Sequence, residues 1–412
     1  MADTLEALNR AVIAAPEDRT VRLVYADALD EAGDAARAEF VRAQVQLETL
    51  PESDFRHVTL PDRVRDLFDA HWLDWWQPVC APAGLPEPHV PGRRRRAPRP
   101  PGARRRRRAR NWPYTHTAAD ATVHAAGYGL AVRFACGFPE ELRFLHLETP
   151  EDAAAIVHRW GDAMPLVRLA FTHAITPREW KRVAGPHLAR LPELEFDHLT
   201  AEAAAAVAAS PHLANLRRLS AHAVGTDTDT IRALVATPTW TGLRALRFTG
   251  PLPPAAVREV ADRCRLPKLE ELELAFGNAA DPLGGVGMLG SMIGQMLRAI
   301  MQAVALPAWG EPRWAEFGPS VEALAAARWV RRLRRLTLGP GLRRGLAAFL
   351  GERLQMAAER ETPDVIPDGP VVALADALNR KTFEKLTLPA SVLSPAARAA
   401  VADRLGPRVE FE

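Results

Sequence analysis

At 412 residues, 48% apolar and 25% charged, the chain has the composition of an ordinary soluble globular protein and the length for two or more domains with a substantial core. Its three cysteines, Cys80, Cys136 and Cys264, form no CxxC pair. That excludes a disulfide framework or a cysteine zinc site and suits free thiols in a reducing, cytoplasmic compartment. The net charge of +3 hides a split: eleven arginines fall within 93–110, and everything else sums to −8.

The first segment, MADTLEALNRAVIAA, opens with acids and has no basic region ahead of an apolar core, so it does not read as a signal peptide. Leu5, Leu8, Val12 and Ile13 have helical spacing up to the break at Pro16. A second helix is predicted over 20–32, with Thr20 as N-cap, Leu23, Val24 and Leu29 on one face, and Gly33 just past its end. A third runs from about Ala35 through Phe40, Val41, Val45 and Leu47, and a fourth covers roughly 61–77. Asp27, Asp30, Glu31, Asp34 and Glu39 crowd the junction of the second and third helices. With no His or Cys nearby and no EF-hand spacing, these acids read as a helical turn rather than a metal loop.

The run from Glu6 to Leu50 resembles the bacterial repeat-companion domain, whose pattern is a short helix, an acidic-proline break and then RLVYADWLEERGDPRAEFIRLQ. The chain keeps Arg22-Leu23-Val24-Tyr25-Ala26-Asp27, Leu29, Gly33-Asp34 and Ala38-Glu39-Phe40-Val41-Arg42, with Ala28 in the usual Trp place. AHWLDWWQPV (70–79) is similar to the second block of that family. The resemblance covers about the first eighty residues and implies a small all-α domain, 1–80, that accompanies a repeat region and carries no activity of its own.

GRRRRAPRPPGARRRRRARNWP (92–113) has too few apolar residues and too many prolines to fold alone. It reads as the heart of a disordered linker, 81–125. Arg93, Arg94, Arg95, Arg96, Arg104, Arg105, Arg106, Arg107 and Arg108 are its candidate contacts to nucleic acid or another anionic polymer, with Trp112 and Tyr114 available for stacking.

From residue 142 the pattern L-x-x-L-x-[LF] recurs, starting at 142, 166, 191, 216, 243, 269, 333 and 383. The first six starts are 24, 25, 25, 27 and 26 residues apart, inside the leucine-rich-repeat period. Thr149-Pro150, Thr176-Pro177-Arg178-Glu179 and Ser394-Pro395 mark helix starts between the strands. The region is similar to the leucine-rich-repeat family, and the fold class expected is α/β. Residues 126–412 then form a leucine-rich-repeat-like solenoid, with parallel strands on its concave face and helices outside, behind the N-terminal all-α domain. AVRFACGFPEELRF (131–144) supplies a lead-in strand. The family's turn asparagine is replaced by Pro150, Ala174, Leu199, Val224, Pro251, Gly277, Gly341 and Ser391, so no asparagine ladder is expected.

The third and fifth residues of each motif point out of such a sheet. They are Phe144/His146, Arg168/Ala170, Glu193/Glu195, Arg218/Ser220, Ala245/Arg247, Glu271/Glu273, Arg335/Thr337 and Lys385/Thr387. A nucleic-acid groove would be uniformly basic; this mixed face suits a protein partner. His146, Arg168, Glu193, Glu195, Arg218, Arg247, Glu271, Glu273, Arg335 and Lys385 are the candidate partner-binding residues.

Insertions interrupt the rhythm at about 281–315 and 345–370. The first holds a Met-rich helix, 283–306, with Met288, Met292, Met296 and Met301 and a polar stripe of Ser291, Gln295, Arg298 and Gln302. Three readings stand for it: burial against the repeats, partner binding, and membrane association. There is no Walker A loop, GxSxG or HExxH. His187, His198, His212 and His222 fall near repeat turns without a ligand cluster in the sequence. A non-catalytic interaction scaffold without metal or cofactor is therefore expected.

Overall fold

A computed structural model describes residues 2–50, 54–83, 85, 115–117, 121–125, 129–145, 150–224, 228–276, 314–340, 365–378, 380–390 and 393–411. The chain is mixed α/β, with mostly parallel strand pairing and an N-terminal helical region. It divides into two compact units, one of Met1–Thr172 with Arg182–Leu191, the other of His173–Lys181 with Pro192–Glu412.

The first unit opens with α1 (Ala2–Ala14), α2 (Arg19–Glu31), α3 (Ala35–Thr49) and α4 (Arg56–Ala83). Asp18, not Thr20, caps α2, its Oδ1 accepting from the backbone of Thr20 at 2.9 Å and Val21 at 3.3 Å. Gly33 takes φ +90° beyond the helix, the left-handed turn its position required. The crowded acids are spent locally. Asp34 caps α3, Asp27 and Asp30 flank Arg42 at 2.7 and 3.0 Å, and Glu39 pairs with Arg63 from α4. Helix α4 begins earlier than the sequence suggested because Asp54 Oδ1 accepts from Arg56 N at 2.9 Å.

Residues 115–125, expected as the end of a linker, contain strands β1 (Thr115–Thr117) and β2 (Thr122–Ala125). With β3 (Leu130–Ala135) and β4 (Phe138–Phe144) they run antiparallel, and the lead-in strand is thus a β3–β4 hairpin. Its tip docks on α3: Arg37 Nη2 donates to Gly137 O at 2.9 Å, and Gln44 spans Phe134 O and Gly137 N. Phe134 lies 5.5 Å from Phe68 and 6.3 Å from Trp76, so helices and hairpin share one aromatic core. After α5 (Pro150–Ala163), β5 (Arg168–Phe171) joins β4 in parallel. Trp160 of α5 donates from Nε1 to Pro139 O at 3.1 Å.

Helix α6 (Pro177–Val183) starts on a reciprocal capping box between Thr176 and Glu179. The second unit then alternates strand and helix: β6 (Glu193–Leu199), α7 (Ala201–Ala208), β7 (Arg218–Val224), α8 (Thr228–Val235), β8 (Ala245–Leu252), α9 (Pro254–Arg263), β9 (Glu271–Phe276), α10 (Gly318–Ala326), β10 (Arg335–Pro340), α11 (Asp368–Leu378), β11 (Lys385–Leu388), α12 (Pro395–Leu405) and β12 (Val409–Phe411). Strands β6 to β12 pair in sequence order, all parallel. Each helix from α7 to α12 packs on the next.

The motif leucines make the core. Leu191, Leu194 and Phe196, Leu216 and Leu219, Leu243, Leu246 and Phe248, and their counterparts down to Phe383, Leu386 and Leu388 are buried. One hydrogen-bond pattern repeats between rungs. The second and third motif residues both donate to the carbonyl of the second residue in the preceding motif: Arg217 and Arg218 to Pro192, Arg244 and Ala245 to Arg217, Glu270 and Glu271 to Arg244, Arg334 and Arg335 to Glu270, Glu384 and Lys385 to Arg334. In place of an asparagine ladder, side chains reach back to earlier helix carbonyls. Thr237 and Thr239 donate to Ala208 O, and Trp329 to Ala261 O at 2.9 Å.

The first motif is corrected. LRFLHL at 142 is out of frame, since β4 pairs Leu142 with Leu169 and Phe144 with Phe171. The motif in register is Pro139-x-x-Leu142-x-Phe144, three residues earlier. Phe144 is buried and stacks on Phe171 at 5.5 Å, so it faces the core and not the open face. The outward residues of β4 are Glu141 and Arg143, opposite Arg168 and Ala170.

Among the described residues, no helix is long and apolar enough to cross a membrane.

Candidate functional site

Parallel pairing in register turns a sequence position into a row across the sheet. In the second unit the third motif position gives Glu193, Arg218, Ala245, Glu271, Arg335 and Lys385 side by side. The fifth gives Glu195, Ser220, Arg247, Glu273, Thr337, Thr387 and, from β12, Glu410. The structure therefore brings together eight of the ten candidate partner-binding residues on one sheet face. Arg168 belongs to the first unit, where its Nη1 lies 3.6 Å from Glu141. His146 lies outside the described residues.

These charges engage one another laterally. Arg218 reaches Glu193 at 2.8 Å, and Lys385 reaches Glu410 at 2.6 Å. Arg247 lies 3.5 Å from Glu273 and 3.9 Å from Glu271. Arg335 lies 3.8 Å from Glu271 and 3.1 Å from Glu384. The second motif position adds a parallel line, with Glu270 3.9 Å from both Arg244 and Arg334, and Arg334 also bonded to Glu384. All are at least partly exposed, so each pair contributes at most about 1 kcal/mol. Their value lies in holding side chains of mixed sign in fixed positions.

At the β6 end the pattern changes. Glu195 and Asp197 lie two apart on β6 and share a face, and His222 on β7 joins them. Its Nε2 stands 3.2 Å from Glu195 Oε1 and 3.8 Å from Asp197 Oδ1, while its Nδ1 is hydrogen-bonded to Thr249 Oγ1 of β8. Sequence reading found Glu195 but treated His222 as lacking ligands. The missed signal was the seventh motif position, one step of alternation beyond the last core residue, which holds Asp197, His222 and Thr249 in three successive repeats.

Two of the three thiols, Cys136 and Cys264, offer no nucleophile at neutral pH. Burial pushes Cys264 up to about 11 and Cys136 higher still, so both stay protonated. Arg93, Arg94, Arg95, Arg96, Arg104, Arg105, Arg106, Arg107 and Arg108, and the Met-rich segment 283–306, lie outside the described residues.

No protein-family model matches the chain, and no curated protein matches it in sequence.

Proposed function

We propose that the second unit is a leucine-rich-repeat-like solenoid whose sheet face receives a protein partner, and that the chain acts as a non-catalytic scaffold in the cytoplasm. Its strands would line the concave side and its helices the outside, with the N-terminal helices serving as a repeat-companion domain. The observation that carries this reading is the row structure of the sheet, in which Glu193 stands beside Arg218 and Glu271 beside Arg335 as opposite charges in register, Ala245 separates the two pairs, and Lys385 follows Arg335 with like charge. A rigid comb of mixed sign discriminates among protein surfaces by charge pattern, whereas a polyanion would meet repulsion as well as attraction.

The test is affinity capture from the source cells with the full chain and with the variant Arg218→Glu/Arg247→Glu/Arg335→Glu. Surface pairs of this kind contribute little to stability, so the variant should keep its circular dichroism spectrum and melting profile. A partner retained by the wild type and lost by the variant supports the scaffold. Retention of the same proteins by both overturns it.

A further inference from the structure

We propose that Glu195, Asp197 and His222 form a binding site for a divalent transition-metal ion of the zinc class. The site does not depend on the scaffold reading. Its three donor atoms, one imidazole nitrogen and two carboxylate oxygens, all lie within 4.8 Å of one another. Zinc bonds of roughly 2.0–2.2 Å at tetrahedral angles require donors about 3.3–3.5 Å apart. His222 Nε2 and Glu195 Oε1, at 3.2 Å, lie just inside that spacing and need open only slightly. Asp197 Oδ1, 3.8 Å from Nε2, closes the rest by a small side-chain adjustment, and its side chain, 32% exposed, has room to make it.

Two further features are those of a ligand set. The donors come from two paired strands, with the register pairs Phe196–Ala221 and His198–Ala223 on either side of Asp197 and His222, so their backbones are held from both sides. Thr249, from a third strand, holds His222 Nδ1, which orients the ring and turns Nε2 toward both carboxylates. Metal binding would use the tautomer whose Nδ1–H donates to Thr249 Oγ1, which leaves the Nε2 lone pair facing both carboxylates. Glu195, with its side chain only 5% exposed, sits where water screens attraction to a cation least.

The donor chemistry sets the class. One imidazole with two carboxylates suits Zn²⁺ and its first-row neighbours. Ca²⁺ and Mg²⁺ prefer all-oxygen shells, and the set contains no thiolate to select Cu⁺. Three protein ligands leave a fourth position for water or for a donor from another molecule.

Isothermal titration of ZnCl₂ into the chelator-stripped full chain tests this, with MgCl₂ as the comparison. One equivalent of Zn²⁺ should bind to the wild type. His222→Ala and, separately, the shape-preserving Asp197→Asn should each weaken that binding at least tenfold, and Thr249→Val should weaken it about tenfold through the lost ring orientation. Co²⁺ bound in place of Zn²⁺ should give a visible absorption band that His222→Ala removes. Absence of stoichiometric Zn²⁺ binding, equal affinity for Mg²⁺, or zinc binding unchanged in both His222→Ala and Asp197→Asn would overturn the proposal.

Discussion

Arg22 on α2 and Glu140 on β4, 118 residues apart, form an ion pair with side chains only 5% and 8% exposed. The guanidinium also donates to Pro16 O, at the break between α1 and α2. One side chain therefore ties the helical hairpin to the first rung of the sheet.

That pair makes stability depend on pH. Burial pushes the Glu140 carboxyl up from 4.5 to about 7, against the pull of Arg22, which burial in turn disfavours and Glu140 keeps firmly charged. Between pH 4.5 and 7 the folded chain holds a proton that the unfolded chain releases. The Glu140 contribution is thus fully present below pH 4.5 and is lost as pH rises through 7. Arg22→Met should cost about 1–2 kcal/mol at pH 5, where Glu140 is neutral, and about 3–5 kcal/mol at pH 8.5, where a buried carboxylate loses its cation. Urea denaturation of both proteins at the two pH values checks this; a cost that does not grow with pH would contradict it.

Two glycines should respond differently to alanine. Gly137 has φ +80° and packs so closely on α3 that a Cβ would run into Val41 Cγ2, whereas Gly33 has φ +90° with open space around it. Gly137→Ala should destabilise by about 2–4 kcal/mol, combining left-handed strain with a clash. Gly33→Ala should cost only the strain, about 1–2 kcal/mol. Comparison of the two denaturation midpoints separates the terms.

The corrected frame of the first repeat is open to mutation. Leu142 is fully buried and Leu145 is 37% exposed. Leu142→Ala should therefore cost about 2–5 kcal/mol, while Leu145→Ser should stay within about 0.5 kcal/mol of wild type. Equal costs would restore the LRFLHL frame.

The charge rows should matter little to folding. Arg335→Gln breaks contacts to both Glu271 and Glu384, yet all three side chains are at least 31% exposed. Its effect on thermal stability should be below about 1 kcal/mol and should shrink further in high salt. A larger loss would mean that the rows hold the sheet together.

Much of this architecture was legible in the sequence because burial leaves a periodic trace. Leu194, Leu219, Leu246, Leu272, Leu336 and Leu386 recur in the motif and are all buried at the same rung position. The first repeat was misframed because LRFLHL fits the written pattern, and it is the pairing of β4 with β5, with Phe144 buried on Phe171, that decides against it. Strand β12 escaped notice because Val409–Phe411 has no motif leucine and is recruited by pairing with β11 alone. The Arg22–Glu140 pair was out of reach, since neither residue carries a local sign of a partner 118 positions away. Asp197 and His222 lay just beyond the motif's last letter, where the alternation continues but no leucine announces it.

Glu271 and Arg335 are lateral neighbours in β9 and β10 although 64 positions separate them in the chain. Both Arg334 and Arg335 still donate to the Glu270 carbonyl, at 2.7 and 3.1 Å, as their counterparts do where the gap is 25 to 27 residues. Pitch is thus kept by contact between rungs and not by the count of residues joining them. Register between β9 and β10 is for this reason a property of the two strands themselves, fixed by the Glu270 carbonyl and their six paired positions.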